Sequence, residues 1–438
     1  MIIAISLLLA VQSPASDTLH LSLQAALDRA QQYNPTLLAE RAEARGAAQD
    51  PLDASRAFLP NVRFDLQGLR TTDPVGAFGL KLRQENFQAE DLSLDALNRP
   101  DPYGGWNSVA TVELPILAPE GLFGYQAASR GATARAAATE RAAGATTFIV
   151  TRAYWDAHLA AKRAATLEVA LQAARAHAAQ AQALQEQGLV TGLDARMARV
   201  QSAAVETRLL AASAEAANAI SALRALLALS ESQPVVLTDS LEGPGTAACD
   251  STAAECSIGE RGDVTALKLG SDAASAMIRS AWSQNLPSIA LFGSFGYYGR
   301  SSPWGEGSGD WTIGIGLRWN LFPGLAGVGA VRRAKAAHGA AVARQEAAER
   351  QATLEVLSAQ RMLAAANQAV VVAEAGNREA QQALEQARLR YSTGAAPITE
   401  LLDVQAAATQ ATLNMHTSRR DLFVAKAGLD FAYGVNDR

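Results

Sequence analysis

The sequence predicts a mainly helical chain with a smaller share of strand, laid down twice on one plan. Three observations predict it. Two helical stretches run to unusual length without proline, two pairs of segments alternate apolar and polar residues, and both halves keep one order of elements. Each half reads helix, strand, loop, strand, long helix, turn, helix.

Residues Met1 to Val11 form a short apolar run, followed by the small residues Ser13-Pro14-Ala15. That pattern marks 1–16 as a secretory signal, although the usual positive charge at its start is missing. No later run reaches the roughly 18 apolar residues of a membrane helix, so any membrane crossing must use strands.

The first repeat is expected over 17–230. A helical stretch opens at Asn34-Pro35 and stops before Leu59-Pro60, because proline disfavours helix in the residue before it. A strand follows over about 61–70, where Val62, Phe64 and Leu66 alternate with Arg63, Asp65 and Gln67. A second strand is expected over about 108–117, with Ala110, Val112, Leu114 and Ile116 set against Thr111 and Glu113. Between them, Asn86 to Trp106 is polar and rich in turn residues, as a loop should be. A long helix over about 125–187 turns at Gly188-Leu189-Val190-Thr191-Gly192 and returns to about Leu229.

A linker over 231–260 carries a possible short strand at Val235-Val236-Leu237 and two cysteines, Cys249 and Cys256. In an exported chain they are expected to form a disulfide closing a short loop. No histidine lies near enough to suggest a metal pair.

The second repeat, 261–434, copies the first. Arg261-Gly262-Asp263 opens a helical stretch that stops before Leu286-Pro287. Strands are expected over about 288–298 and 311–322, the second alternating Ile313, Ile315, Leu317, Trp319 and Leu321 with polar or small residues. A long helix over about 328–393 turns at Gly394-Ala395-Ala396-Pro397 and returns to about Tyr433. Pro60 lies 227 positions before Pro287, whereas Leu114, Ile116 and Leu117 lie 205 before Trp319, Leu321 and Phe322. The first hairpin must therefore hold a longer loop. At 1.5 Å per residue each long helix spans roughly 95–100 Å, which suggests a coiled coil or a tube.

Several function classes are excluded. The formal net charge of -5 offers no basic stripe for nucleic acid. The five histidines are scattered, and no serine elbow, histidine–carboxylate cluster or Cys/His metal spacing appears. Gly324-Leu325-Ala326-Gly327-Val328-Gly329 has the wrong spacing for a phosphate loop. No enzyme, cofactor or metal is expected.

The strands suit a membrane instead. Their apolar faces approach the roughly 9–11 residues of a tilted membrane strand. Aromatic residues crowd the second pair and its ends: Phe292, Phe295, Tyr297, Tyr298, Trp304 and Trp311 among them. Four strands cannot close a barrel, and lipid forbids an open sheet edge. Two copies would give a barrel of eight strands filled by side chains, while three would give twelve and leave a passage. A periplasmic or surface coiled-coil scaffold is the alternative; it explains the long helices but not two amphipathic hairpins in matching register.

The duplicated strand and helix hairpins, the paired Leu-Pro boundaries and the two glycine tips resemble the TolC family of outer-membrane efflux proteins, over about Leu21 to Gly434. The resemblance implies a homotrimer in a Gram-negative outer membrane: a 12-stranded transmembrane β-barrel continuous with a periplasmic α-helical barrel. It implies a passive exit channel for tripartite efflux or type I secretion, partnered by a periplasmic adaptor, an inner-membrane transporter and outer-membrane lipid. By the same resemblance, Gly188, Leu189, Val190, Thr191, Thr393 and Gly394 are tips that meet the adaptor. Glu400 and Asp403 match an acidic ring at the periplasmic entrance, and Asp194 and Tyr391 match contacts that hold it closed. The chain departs from the family at Ala396, where the best-known member has arginine, so its closing network must differ.

Overall fold

The computed structural model describes residues 18–242, 261–322 and 324–437. The expected signal at 1–16 and the Cys249–Cys256 loop lie outside them. The chain divides into two compact units, one holding Ala44–Arg135 and Ala266–Gln345, the other Met1–Glu43, Ala136–Thr265 and Glu346–Arg438.

The first of these units is organised by one antiparallel sheet of β2 (Asn61–Thr71), β3 (Tyr103–Leu117), β5 (Ser288–Gly299) and β6 (Gly307–Arg318), in that order. The two hairpins share one register at their helix-connected ends. Asn61 pairs with Glu113 in the first and Ser288 with Arg318 in the second, offsets of 227 and 205. The alternation on β6 continues past Arg318 to Leu321, but the ladder stops at Ser288, because Pro287 has no N–H to donate. β3 starts earlier than its alternation suggests, since β2 runs on to Thr71 and supplies a partner for Tyr103.

Cross-strand partners share a face. Val62, Phe64, Val112, Ala110, Phe295, Trp311, Ile313, Ile315 and Leu317 therefore make one apolar face, while Arg63, Asp65, Thr111, Glu113, Ser294, Thr312 and Arg318 lie on the other. The apolar face is bare: Phe64 is 53 % exposed and Ile315 71 %. Neither β2 nor β6 has a strand on its outer side among the described residues.

The segment between β2 and β3 is not the plain loop its composition suggests. It folds as α4 (Pro74–Arg83), a 3-10 turn (Ala89–Leu92) and α5 (Leu94–Asn98). Asp73 caps α4 by accepting from the Gly76 N–H at 2.6 Å, with Pro74 in the first turn, where its missing N–H costs nothing. Gln84, 3 % exposed, donates to the Gly299 carbonyl at 3.3 Å and accepts from the Tyr103 hydroxyl at 2.8 Å. Arg83 donates to the Tyr298 hydroxyl at 3.2 Å, and Ser308 donates to the Arg83 carbonyl. Tyr103, Tyr298 and Ser308 are on the polar face, so the insert covers that face at the hairpin ends.

The helical unit contains parts of the long helices α6 (Pro119–Glu186) and α9 (Ala326–Ser392), with their returns α7 (Gly192–Leu226) and α10 (Ile398–Tyr433). A short parallel pair, β1 (Leu19–Leu21) with β4 (Val235–Leu237), lies beside α1 (Leu23–Tyr33). Tyr154, Trp155, Leu223, Leu227 and Leu241 form the core there, with Trp155 stacked on Phe423 at 4.2 Å. The Asp239 carboxylate accepts from the Leu23 N–H and the Tyr154 hydroxyl, at 2.6 and 2.9 Å, pinning the pair to α6. Arg261, 2 % exposed, is held by Asp263 at 2.7 Å and Glu355 at 2.9 Å, so its buried charge is answered twice. The remaining helices are α2 (Pro35–Ala47), α3 (Asp50–Ser55) and α8 (Gly262–Ser283).

Candidate functional site: the helical tips and the polar sheet face

The two helix hairpins reverse in the same way. Gly188 and Gly394 both take φ +72°, where a side chain would be strained. The Leu189 N–H bonds the Leu184 carbonyl at 2.9 Å, and the Ala395 N–H bonds the Arg390 carbonyl at 2.8 Å. Both are six-to-one Schellman closures that satisfy a carbonyl the helix end leaves open. The return helices are started differently. Thr191 and Asp194 form a reciprocal capping box at α7, whereas α10 begins at Pro397 with no side-chain cap.

Small residues bring the tips together. Ala181, Ala195, Ala198, Ala387 and Ala408 are buried with Leu384, Tyr391, Ile398, Leu401 and Leu402 in one cluster, and alanine lets helix axes approach closely. Of the expected docking residues, Gly188, Leu189, Thr191, Thr393 and Gly394 are exposed and Val190 is half-buried. Leu189, at 68 % exposure, is an apolar side chain with no core to enter.

Asp194 spends one carboxylate oxygen on Thr191, accepting from its N–H at 3.0 Å and its hydroxyl at 2.7 Å. The Tyr391 hydroxyl is buried and makes no hydrogen bond among the described residues. Burial, and then the nearby Asp194 charge, pushes its pKa up, so the phenol stays protonated with its donor unused.

Glu400 is not a free acid: Arg390 holds it at 2.8 Å. Asp403 is exposed one turn further along α10. Arg390 was missed by reading motifs, yet a signal existed. Arg390 and Glu400 stand five residues to either side of Ala395, so an antiparallel turn there must set them opposite each other.

In the sheet unit the polar face is lined by Arg63, Asp65, Gln67, Thr111 and Ser294. At its helix-connected end it opens on a concavity of about 820 Å³ where Arg56, Glu113, Glu120 and Arg318 gather. Leu117, Ile289 and Phe292 line it as well, so the concavity is part charged and part apolar. Among the described residues no cluster of His, Cys, Asp or Glu could hold a metal, and no helix is long and apolar enough to cross a membrane.

A sequence profile described as outer membrane efflux protein matches residues 257–435. No curated protein sequence matches the chain. Among solved structures, a membrane protein from Pseudomonas aeruginosa is 22 % identical with a TM-score of 0.78, covering 94 % of this chain and 93 % of that one. The CmeC outer membrane channel of Campylobacter jejuni is 17 % identical with a TM-score of 0.79, covering 94 % and 85 %. The outer membrane protein VceC of Vibrio cholerae is 20 % identical with a TM-score of 0.77, covering 94 % and 96 %. The profile is one of efflux proteins of the outer membrane, not of enzymes. Residues 257–435 thus resemble outer membrane efflux proteins in sequence, and the whole chain, with its duplicated hairpins and paired glycine tips, has the fold of the solved outer-membrane channels.

Proposed function

We propose that three copies of this chain form the exit duct of an export system, opened by a periplasmic adaptor and an inner-membrane pump. The observation that carries this reading is the sheet. Among the described residues it has four strands, two unpaired edges, one bare apolar face and one polar face. Lipid tolerates the apolar face but not the edges, so β6 of one copy pairs with β2 of the next until the sheet closes. Three copies give 12 strands, with the polar faces around a water-filled passage. Transport through it is passive, and the energy comes from the pump.

In this reading the helical tips make the periplasmic entrance. Leu189 and Thr393, exposed beside their glycines, are the adaptor contacts. Tyr391 and Asp194 hold the resting entrance closed, and Glu400 and Asp403 ring it with carboxylates. Since Arg390 offsets Glu400, Asp403 supplies most of the ring's effective charge. Asp403→Asn is therefore expected to reduce cation preference in single-channel recordings more than Glu400→Gln; the reverse order would remove Arg390 from the account. The Asp194→Ala/Tyr391→Phe double variant should raise the leak of bulky antibiotics; an unchanged leak would sink the latch.

Native mass spectrometry of detergent-extracted, unboiled protein tests the assembly. A mass near three mature chains, obtained only with detergent, supports the closed barrel. A monomer that needs no detergent would sink it and restore the scaffold.

A further inference from the structure

Two arginines stand over one groove at the hairpin ends of the sheet, and neither makes an ion pair among the described residues. The groove is open, with a volume of about 590 Å³, and Arg70, Gly104, Gly105, Trp106 and Arg300 line it. Arg70 sits on β2 opposite Gly104 of β3. Trp106 of β3 sits opposite Gly299 of β5, and Arg300 follows directly. Arg70 thus sits on β2 beside β3, Arg300 lies just past the end of β5, and both line the same groove. Between them β3 is glycine: a Cβ on Gly104 would meet the Leu69 carbonyl oxygen at 2.5 Å. The result is a bare backbone floor between two exposed guanidinium groups.

The location narrows the ligand. Arg70 and Trp106 alternate in register with Phe64 and Leu66, so they belong to the apolar face. The loop at 300–306 folds onto the same face: the Ser108 hydroxyl donates to the Pro303 carbonyl at 3.4 Å, and Trp304 stacks on Phe64 at 6.0 Å while 71 % exposed. Paired arginines beside tryptophans at the end of an apolar band are what a membrane–water interface selects. Guanidinium forks bind phosphate oxygens bidentately.

We propose that Arg70 and Arg300 clamp a phosphate on the glycolipid headgroups of the outer leaflet, with Trp106 and Trp304 against the lipid's apolar portion. The proposal rests on the membrane-channel reading above, which sets the hairpin ends toward the cell exterior. A free anion would have no use for the tryptophans.

The test uses the detergent-extracted assembly and native mass spectrometry. The probes are a bisphosphorylated lipid A and its phosphatase-treated counterpart. Wild type is expected to hold the phosphorylated lipid about tenfold tighter, and Arg70→Gln/Arg300→Gln to lose that preference with unchanged assembly mass and conductance. Equal binding of the two lipids by wild type, or an unchanged preference in the double variant, would overturn the proposal. So would complete displacement of the lipid by inorganic phosphate, which would assign the groove to the free anion. A detergent-free monomer would sink the channel reading as well, whereas an intact assembly without the lipid preference sinks the clamp alone.

Discussion

In the first hairpin, residues 72–102 form two helices and a 3-10 turn that settle on the polar face of the sheet. In the second, residues 300–306 form a short loop that settles on the apolar face. The strands beneath are paired in the same register at their helix-connected ends. Duplication has thus preserved the part that must fit its neighbours and left each hairpin end free to serve a different medium. In the proposed barrel, one insert would stand over the passage and the other loop would face the lipid.

The largest effect is expected from replacing residues 73–101 with a two-residue Asn-Gly turn, making the connection of the first hairpin shorter than residues 300–306 of the second. If α4 narrows the exit, single-channel conductance rises severalfold. An unchanged conductance would mean the insert is bystander to flow. Next is Gly105→Val. A Cβ there would meet the Gln84 amide at 1.9 Å and the Gly299 carbonyl at 2.7 Å, so α4 must lift from the sheet. Limited proteolysis should then cut within 74–102 while the strands stay protected, at a cost of about 1–3 kcal/mol to the insert. Gln84→Leu is milder: the Gly299 carbonyl loses its side-chain donor and the Tyr103 hydroxyl its acceptor, though Asn86 still donates to that hydroxyl, about 1–2 kcal/mol, read as faster amide exchange along α4.

The smallest effect concerns the other ends of the repeats. Thr191→Ala removes the cap that α7 has and α10 lacks, and should cost about 1 kcal/mol, seen as fraying of the first turn of α7 by hydrogen exchange. Thr191→Ser should restore it. If Thr191→Ala leaves exchange there unaltered, the two tips are equivalent in practice and the difference in their caps carries no weight.

Much of this was legible in the sequence because it rests on short-range rules. Proline set the starts of β2 and β5, alternation set the two sheet faces, and glycine set both tips. The insert was not legible. Pro74, the Asp73 cap and the basic residues at the end of α4 are helix signals, but its ten residues look like loop until the sheet supplies Gly299 and Tyr103 as partners. The acidic residues were legible as a pair on one face of α10, and their inequality was not, since Arg390 reaches Glu400 only after the chain has turned. The Asp239 junction binds residues more than two hundred positions apart and has no local pattern at all.

The two unpaired edges, β2 and β6, have a genetic consequence. If the sheet closes only head-to-tail through three copies, one chain with a blocked edge spoils the ring it joins. Expressed in equal amount with the normal chain, such a variant would inactivate about seven-eighths of the assemblies, because only one ring in eight would draw three intact chains. A lesion confined to a single strand edge would therefore behave as dominant, and export capacity would fall far below half while half of the protein remained normal.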